Sequence, residues 1–239
     1  MTKLSICPAR NFADMNELCV VFDIDDTLYL ERDYVRSGFM AVGRWAEDWL
    51  GIHDFSGLCW REFESGRRST IFDRALAAGG LESSPDLISS LVELYRSHAP
   101  CIGLAPDAAE AIEQIAHTCP IAVVSDGPLA SQSRKADALG LRAIASPVVL
   151  TGIFGPQFRK PHTHAFAHVA ARVQARRYVY VADNPAKDFA GPNELGWATI
   201  RVRRPGGLHE LVDNNPHSPP NVEVTDCSGL LNVLARVAP

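Results

Sequence analysis

Apolar residues along this chain fall into two kinds of run. Short, nearly unbroken stretches rich in β-branched residues read as strands buried on both faces: Leu18 to Phe22, Ile121 to Ser125, Tyr178 to Ala182 and Thr199 to Val202. Between them, apolar residues recur at three-and-four spacing. Ala108, Ile112, Ile115 and Ala116 mark one helical face, and Phe166, Val169, Ala170 and Val173 mark another. Strands alternating with helices predict an α/β fold, a parallel sheet with crossover helices.

The interval from Asp33 to Ala105 departs from this alternation, because it has helical stripes and no convincing strand. Val35, Phe39, Val42, Ala46 and Trp49 form one stripe, with Asp33 as its expected cap. Leu87, Ile88, Leu91, Val92 and Tyr95 form a second, with Ser84 as the cap and Pro85 as the first helical residue. Gly79-Gly80 and Pro100 punctuate the region, which therefore reads as a helical bundle inserted into the α/β unit. The expected division is a core of residues 1–32 and 106–239 around an insert of 33–105. Trp45 and Trp49 fall on or beside the first stripe and read as core side chains. The segment from Pro205 to Pro220 reads as a loop with one helical turn.

Composition narrows the class without choosing a function. The 239 residues are 46% hydrophobic and 21% charged, ordinary for a globular protein. A net charge of -5 and a pI near 5.9 argue against a phosphate backbone as partner, so no nucleic acid is expected. Cys7, Cys19, Cys59, Cys101, Cys119 and Cys227 are irregularly spaced, with no Cys-x-x-Cys pair, and indicate neither a disulfide framework nor a zinc ribbon. No stretch is long and apolar enough to span a membrane, and the amino terminus lacks the apolar run of a signal peptide. A cytoplasmic location with no membrane partner is the expectation.

Candidate chemistry sits where the strands end, which is where open α/β sheets bind ligands. The first strand runs into Asp23-Ile24-Asp25-Asp26-Thr27, the second ends in Ser125-Asp126-Gly127, and the third in Asp183-Asn184. A single such aspartate is ordinary in a turn or cap. Several converging on one crevice repel one another unless a cation compensates or their pKa values rise. Oxygen-only ligands suit Mg²⁺ better than zinc or copper. His162, His164 and His168 crowd one helix start, but they lie off its apolar stripe and lack a third ligand, so an exposed face is expected there.

These residues carry a resemblance to the haloacid dehalogenase-like hydrolase superfamily, whose four signatures occur in order between about residues 18 and 203. Asp23-x-Asp25-x-Thr27 resembles the first, Ser125 the second, Lys160 of Arg159-Lys160-Pro161 the third, and Asp183 with Asp188 the fourth. Ala182 departs from a pattern that often has glycine there. The resemblance implies a Rossmann-like core with an α-helical cap and a Mg²⁺-dependent phosphatase for a small phosphorylated metabolite, such as a sugar phosphate or nucleotide. Asp23 would be the nucleophile and Asp25 the general acid and base, its backbone carbonyl also binding the metal. Asp183 would complete the protein ligands, Ser125 and Lys160 would hold the phosphoryl oxygens, and Thr27, Asn184 and Asp188 would support them. Arg32, Arg36, Arg44, Arg61, Arg67, Arg68 and Arg74 in the insert are candidates for anion binding.

Three alternatives stay open. A haloacid dehalogenase shares the aspartate nucleophile but needs no acid for a halide and no metal, so Asp25 argues against it. A phosphosugar mutase keeps all four motifs. A binding or regulatory protein that has lost catalysis would have no use for both Asp23 and Asp25.

Overall fold

The computed structural model describes residues 17–237; Cys7 and the amino-terminal stretch weighed as a possible leader lie outside them. Strands β1 (Leu18–Phe22), β2 (Ile121–Ser125), β3 (Val148–Leu150), β4 (Arg177–Ala182), β5 (Ala198–Val202) and β6 (Val222–Val224) form one parallel sheet in the order β3-β2-β1-β4-β5-β6. The central strand explains the unbroken apolar run. Leu18, Val20 and Phe22 point into one apolar layer while Cys19 and Val21 point into the other, and all are fully buried.

Helices α5 (Pro106–Ala116) and α10 (Leu230–Val237) cover the first face through Ala108, Ile112, Ile115, Leu230 and Leu234. Helix α8 (His164–Ala170) covers the other through Ala165, Phe166 and Val169, beside the short α9 (Ala190–Glu194). Helices α6 (Leu129–Ala138) and α7 (Leu141–Ile144) link β2 to β3. The four expected strands stand within a residue of their expected limits. Strands β3 and β6 are additional, each only three residues long, and β6 is too exposed to give a buried-strand signal.

Four helices build the insert: α1 (Glu31–Leu50), α2 (Phe55–Glu64), α3 (Ile71–Ala78) and α4 (Pro85–Ser97). They enclose a separate apolar cluster around Phe39, Val42, Phe55, Phe72, Leu76 and Leu91. Ser84 caps α4, accepting a hydrogen bond from the Leu87 amide, and Pro85 opens it. Two expectations for α1 are corrected. The helix starts at Glu31, whose amide is bound by the Asp26 carboxylate at 2.8 Å, so Asp26 rather than Asp33 serves its first turn. Trp49 is 75% exposed. Gly51 turns left-handed and the Ile52 amide returns to the Ala46 carbonyl, bringing buried Ile52 over the stripe and leaving Trp49 outside. Trp45 is half-buried at the edge of the same cluster.

The Pro205–Pro220 segment contains turns but no helix. It is tied down by buried arginines. Arg201 donates to the carbonyls of Asp183, His209 and Val212 and to Asn214, and Arg204 donates to the Thr27 carbonyl and the Asp107 carboxylate. No described helix is long and apolar enough to cross a membrane.

Candidate active site

Sheet register assembles the site. Phe22, the last residue of β1, pairs with Val123 of β2 and with Val181 of β4, so the three strands end within two residues of one another. Asp23, Ser125 and Asp183 therefore emerge side by side, and the Asp23 amide donates to the Val181 carbonyl at 2.9 Å. All three are buried, at 3%, 1% and 6% exposure.

Asp23, Asp183 and Asp188 bring carboxylate oxygens within 4.8 Å of one another. Among the described residues, Lys160 is the cation paired directly with the group: it places Nζ 3.0 Å from Asp23 and 2.7 Å from Asp188, and donates to the Tyr180 hydroxyl at 3.0 Å. These three carboxylates share one directly paired ammonium among the described residues, and the imbalance registers at Asp183 and Asp23. Burial, then the Asp188 and Asp23 charges, push Asp183 well above the ordinary carboxylate value. Burial raises Asp23 to about 6 against the pull of Lys160. Despite burial, Asp188 and Asp23 hold Lys160 well above an ordinary lysine. Asp183 Oδ2 is buried with no hydrogen-bond partner. An orphaned acceptor in an all-oxygen, negatively charged pocket is what a hard divalent cation fits.

The Asp25 carboxylate turns away from this group. It accepts from Tyr29 Oη at 2.5 Å, from Lys135 Nζ at 2.7 Å and from Gln132 Nε2 at 3.0 Å. Burial acts upward, but the Lys135 charge and these hydrogen bonds hold Asp25 below the usual carboxylate range. Gln132 Nε2 also donates to Ser125 Oγ at 2.6 Å, which leaves the serine proton free for another acceptor. Gly127 makes room for this arrangement, since a Cβ there would lie 3.0 Å from Gln132 Cγ. Lys135 is itself buried and lies 4.2 Å from the centre of the Tyr34 ring.

The remaining expected residues are placed around this centre. The Thr27 carbonyl accepts from Arg204, while its buried hydroxyl has no partner. Asn184 donates its amide to Asp188 at 2.9 Å, and its side chain meets His209 at 2.9 Å. Asp26 adopts a left-handed conformation, φ 51°, and its carboxylate binds the amides of Glu31 and Leu208. The three histidines at the start of α8 join no metal-holding group among the described residues. His162 is exposed, but His164 and His168 are half-buried, with rings 4.5 and 5.0 Å from that of Phe154.

Gln132, Lys135, Tyr29 and Tyr180 were not singled out from the sequence. The available signal was Gln132 and Lys135 at i and i+3 directly after Ser125, one helical face aimed back at the strand end.

Comparison with known proteins fits this geometry. The haloacid dehalogenase-like hydrolase family model matches residues 18–196, and the chain belongs to that family. Glyceraldehyde 3-phosphate phosphatase of Methanopyrus kandleri is 27% identical over 92% of this chain and 97% of its own length. Two solved structures share the fold at a TM-score of 0.64: the magnesium-bound HAD hydrolase YfnB of Bacillus subtilis, 18% identical over 92% of this chain and 99% of that one, and a protein assigned as β-phosphoglucomutase from Thermotoga maritima, 20% identical with the same coverage.

Proposed function

We propose that the protein is a Mg²⁺-dependent phosphatase that hydrolyses a small phosphate monoester through an aspartyl-phosphate on Asp23. The observation carrying this reading is the juxtaposition of the Asp23, Asp183 and Asp188 carboxylates with Lys160 and Ser125 at one sheet edge, beside a separately held Asp25. The phosphatase activity named for the Methanopyrus kandleri relative supports the same reaction class.

Asp23 and Asp183 side chains and the Asp25 carbonyl would hold the cation, with Asp188 beside them. When bound, the cation supplies the positive charge that lets a carboxylate and a phosphoryl group approach each other. Lys160, fixed between Asp23 and Asp188, and the free Ser125 proton supply donors for the phosphoryl oxygens, whose charge grows as the bond to the leaving oxygen breaks. Asp23 Oδ attacks phosphorus and the ester bond breaks, the departing oxygen taking its proton from the protonated fraction of Asp25, which the contacts to Lys135, Tyr29 and Gln132 keep small. Asp25, now ionised, takes a proton from water as that water attacks phosphorus, releasing phosphate and the Asp23 carboxylate. The contacts to Tyr29, Gln132 and Lys135 suit the ionised form that acts in this second half. The helical insert serves as a cap that excludes water and receives the leaving group. Free thiols at Cys19, Cys59, Cys101, Cys119 and Cys227 accord with a reducing cytoplasm.

The test is inorganic phosphate release from p-nitrophenyl phosphate with and without Mg²⁺. Metal-dependent release by the native chain that vanishes in Asp23→Asn is expected; equal release by the variant would remove Asp23 as nucleophile. Retained dehalogenation of a 2-haloacid in chelator would favour the dehalogenase reading instead.

A further inference from the structure

Between β5 and β6 the chain leaves the sheet, and residues 207–214 return to touch both turns that carry the acidic centre. At the first turn, the Leu208 amide donates to the Asp26 carboxylate at 2.7 Å, and a Cβ on Gly207 would lie 3.4 Å from Asp26 Cγ. At the other, His209 Nε2 lies 2.9 Å from Asn184 Nδ2. The direction of that bond is fixed by a neighbour. The Ala186 amide donates to Asn184 Oδ1 at 3.0 Å, which turns Nδ2 toward the histidine. An amide nitrogen only donates, so His209 Nε2 accepts and the ring is neutral, with its proton on Nδ1.

A second tie runs through Arg201 of β5, whose backbone pairs with Ala182 of β4. Its side chain is fully buried. Nε donates to the Asp183 carbonyl at 3.1 Å, Nη2 to the His209 and Val212 carbonyls at 2.8 Å each, and Nη1 to Asn214 Oδ1 at 2.8 Å. All these acceptors are neutral, and the Glu223 carboxylate stands off at 3.8 Å. Packing alone does not call for this, because an apolar side chain of similar volume fills such a position without the cost of burying a cation. What the guanidinium adds is a rigid planar fork, which holds the Asp183 backbone and the returning segment at one separation. Asp183 needs such support. Its Oδ2 is buried with no hydrogen-bond partner, so the aim of the carboxylate depends on the backbone that carries it.

We infer that Arg201 and His209 are positioning residues for the cation. Arg201 acts through the Asp183 carbonyl and His209 through Asn184; together they hold the Asp183 turn against the Asp25-Asp26 turn, to which Leu208 ties the same segment. The inference rests on the proposed reading of Asp23, Asp183 and the Asp25 carbonyl as the cation's ligands, and adds that a segment supplying no ligand sets their spacing. Mg²⁺ demands near-ideal octahedral geometry, so its affinity falls when ligands shift relative to one another. Loss of a group that orients a metal ligand costs about 10–100-fold in affinity.

The experiment measures the Mg²⁺ dissociation constant of the full chain by titration calorimetry without substrate, beside the melting temperature without metal. Arg201→Lys keeps the charge but cannot reach the Asp183 carbonyl and the returning segment together, and should weaken Mg²⁺ binding about 10–100-fold. His209→Leu removes the acceptor for Asn184 at a half-buried position and should weaken it about tenfold. His209→Gln offers Oε1 in place of Nε2 and should recover most of that loss. A merely structural role would lower the metal-free melting temperature and leave the Mg²⁺ constant of the folded molecules at its native value. An unchanged constant in folded Arg201→Lys and His209→Leu overturns the inference while the phosphatase reading stands. Equal weakening in the leucine and glutamine variants marks lost packing and overturns the assignment of His209. If Arg201→Lys does not fold, the two His209 variants decide. A native chain that neither binds Mg²⁺ nor releases phosphate from p-nitrophenyl phosphate overturns the phosphatase reading, and this inference with it.

Discussion

The sheet edge and the helical insert handle charge in opposite ways. At the sheet edge, Asp23, Asp25, Lys135, Lys160 and Asp188 are paired over 2.7 to 3.0 Å in ion pairs that water scarcely reaches. In the insert, Arg32, Arg61, Arg67 and Arg74 lie in solvent-screened pairs such as Arg61 with Asp54, while the interior is apolar. Buried, mutually dependent charges suit a reaction whose charge moves the same way for every phosphate ester. An apolar interior of its own suits a cap that discriminates among leaving groups. On the phosphatase reading proposed above, the two regions divide chemistry from selection, and substitutions in each should fail in different ways.

The largest effect should follow loss of the nucleophile. Asp23→Asn keeps the shape of the side chain and should lower kcat by about 10⁴-fold or more for every ester, with little change in the melting temperature. A selective loss, large for one ester and small for another, would break the division between the regions. Lys160→Met should combine loss of activity with destabilisation of about 3–5 kcal/mol in urea unfolding, because it leaves buried carboxylates without a counter-charge. Adding Mg²⁺ should recover part of that stability, since a cation binding only the folded state restores the missing charge.

Lys135→Met tests whether the cation beside Asp25 belongs to the chemistry. A fall in kcat of about 10²-fold on p-nitrophenyl phosphate is expected, because its turnover leans on the ionised Asp25 as base, with a smaller fall on an alkyl phosphate, where the raised Asp25 pKa supplies more of the acid. Equal losses on both would assign Lys135 a packing role only. The smallest effect concerns a tie that touches neither region's chemistry. Arg204 hydrogen bonds and the Cys227 amide hold Asp107 below the usual carboxylate value, although burial opposes them. A folded-state pKa lower than the unfolded one stabilises the protein above the unfolded value, and that stabilisation is lost as pH falls through the folded value. Asp107→Asn should therefore cost about 1 kcal/mol near pH 7, with the gap to the native chain closing below about pH 4, as measured by thermal melts.

Legibility in the sequence followed the physics of burial. Strand β1 was readable because both its faces are apolar, and Asp23 was readable because it ends that run. Helix α6 was not: its buried positions are Ser131, Gln132, Lys135 and Ala136, and a polar inner face gives no apolar stripe. Two of the residues that hide α6 from periodicity, Gln132 and Lys135, are the ones that contact Asp25 and Ser125. Trp49 misled in the other direction. It kept helical register with Val42 and Ala46, but a helix stripe is buried only as far as its neighbours extend, and the turn at Gly51 brings in Ile52 instead.

The sequence by itself determined the alternation of strands and helices, the inserted bundle and the acidic residues at the strand ends, since each depends on neighbours a few positions apart. Only the tertiary structure decided which charges meet. Lys135 lies 110 positions from Asp25, yet 2.7 Å away in space. Such pairs depend on sheet order and register, which bring distant segments to one edge. The same holds for a cavity inside the insert, whose wall joins its four helices to Leu208, because no local pattern specifies the empty space between packed elements.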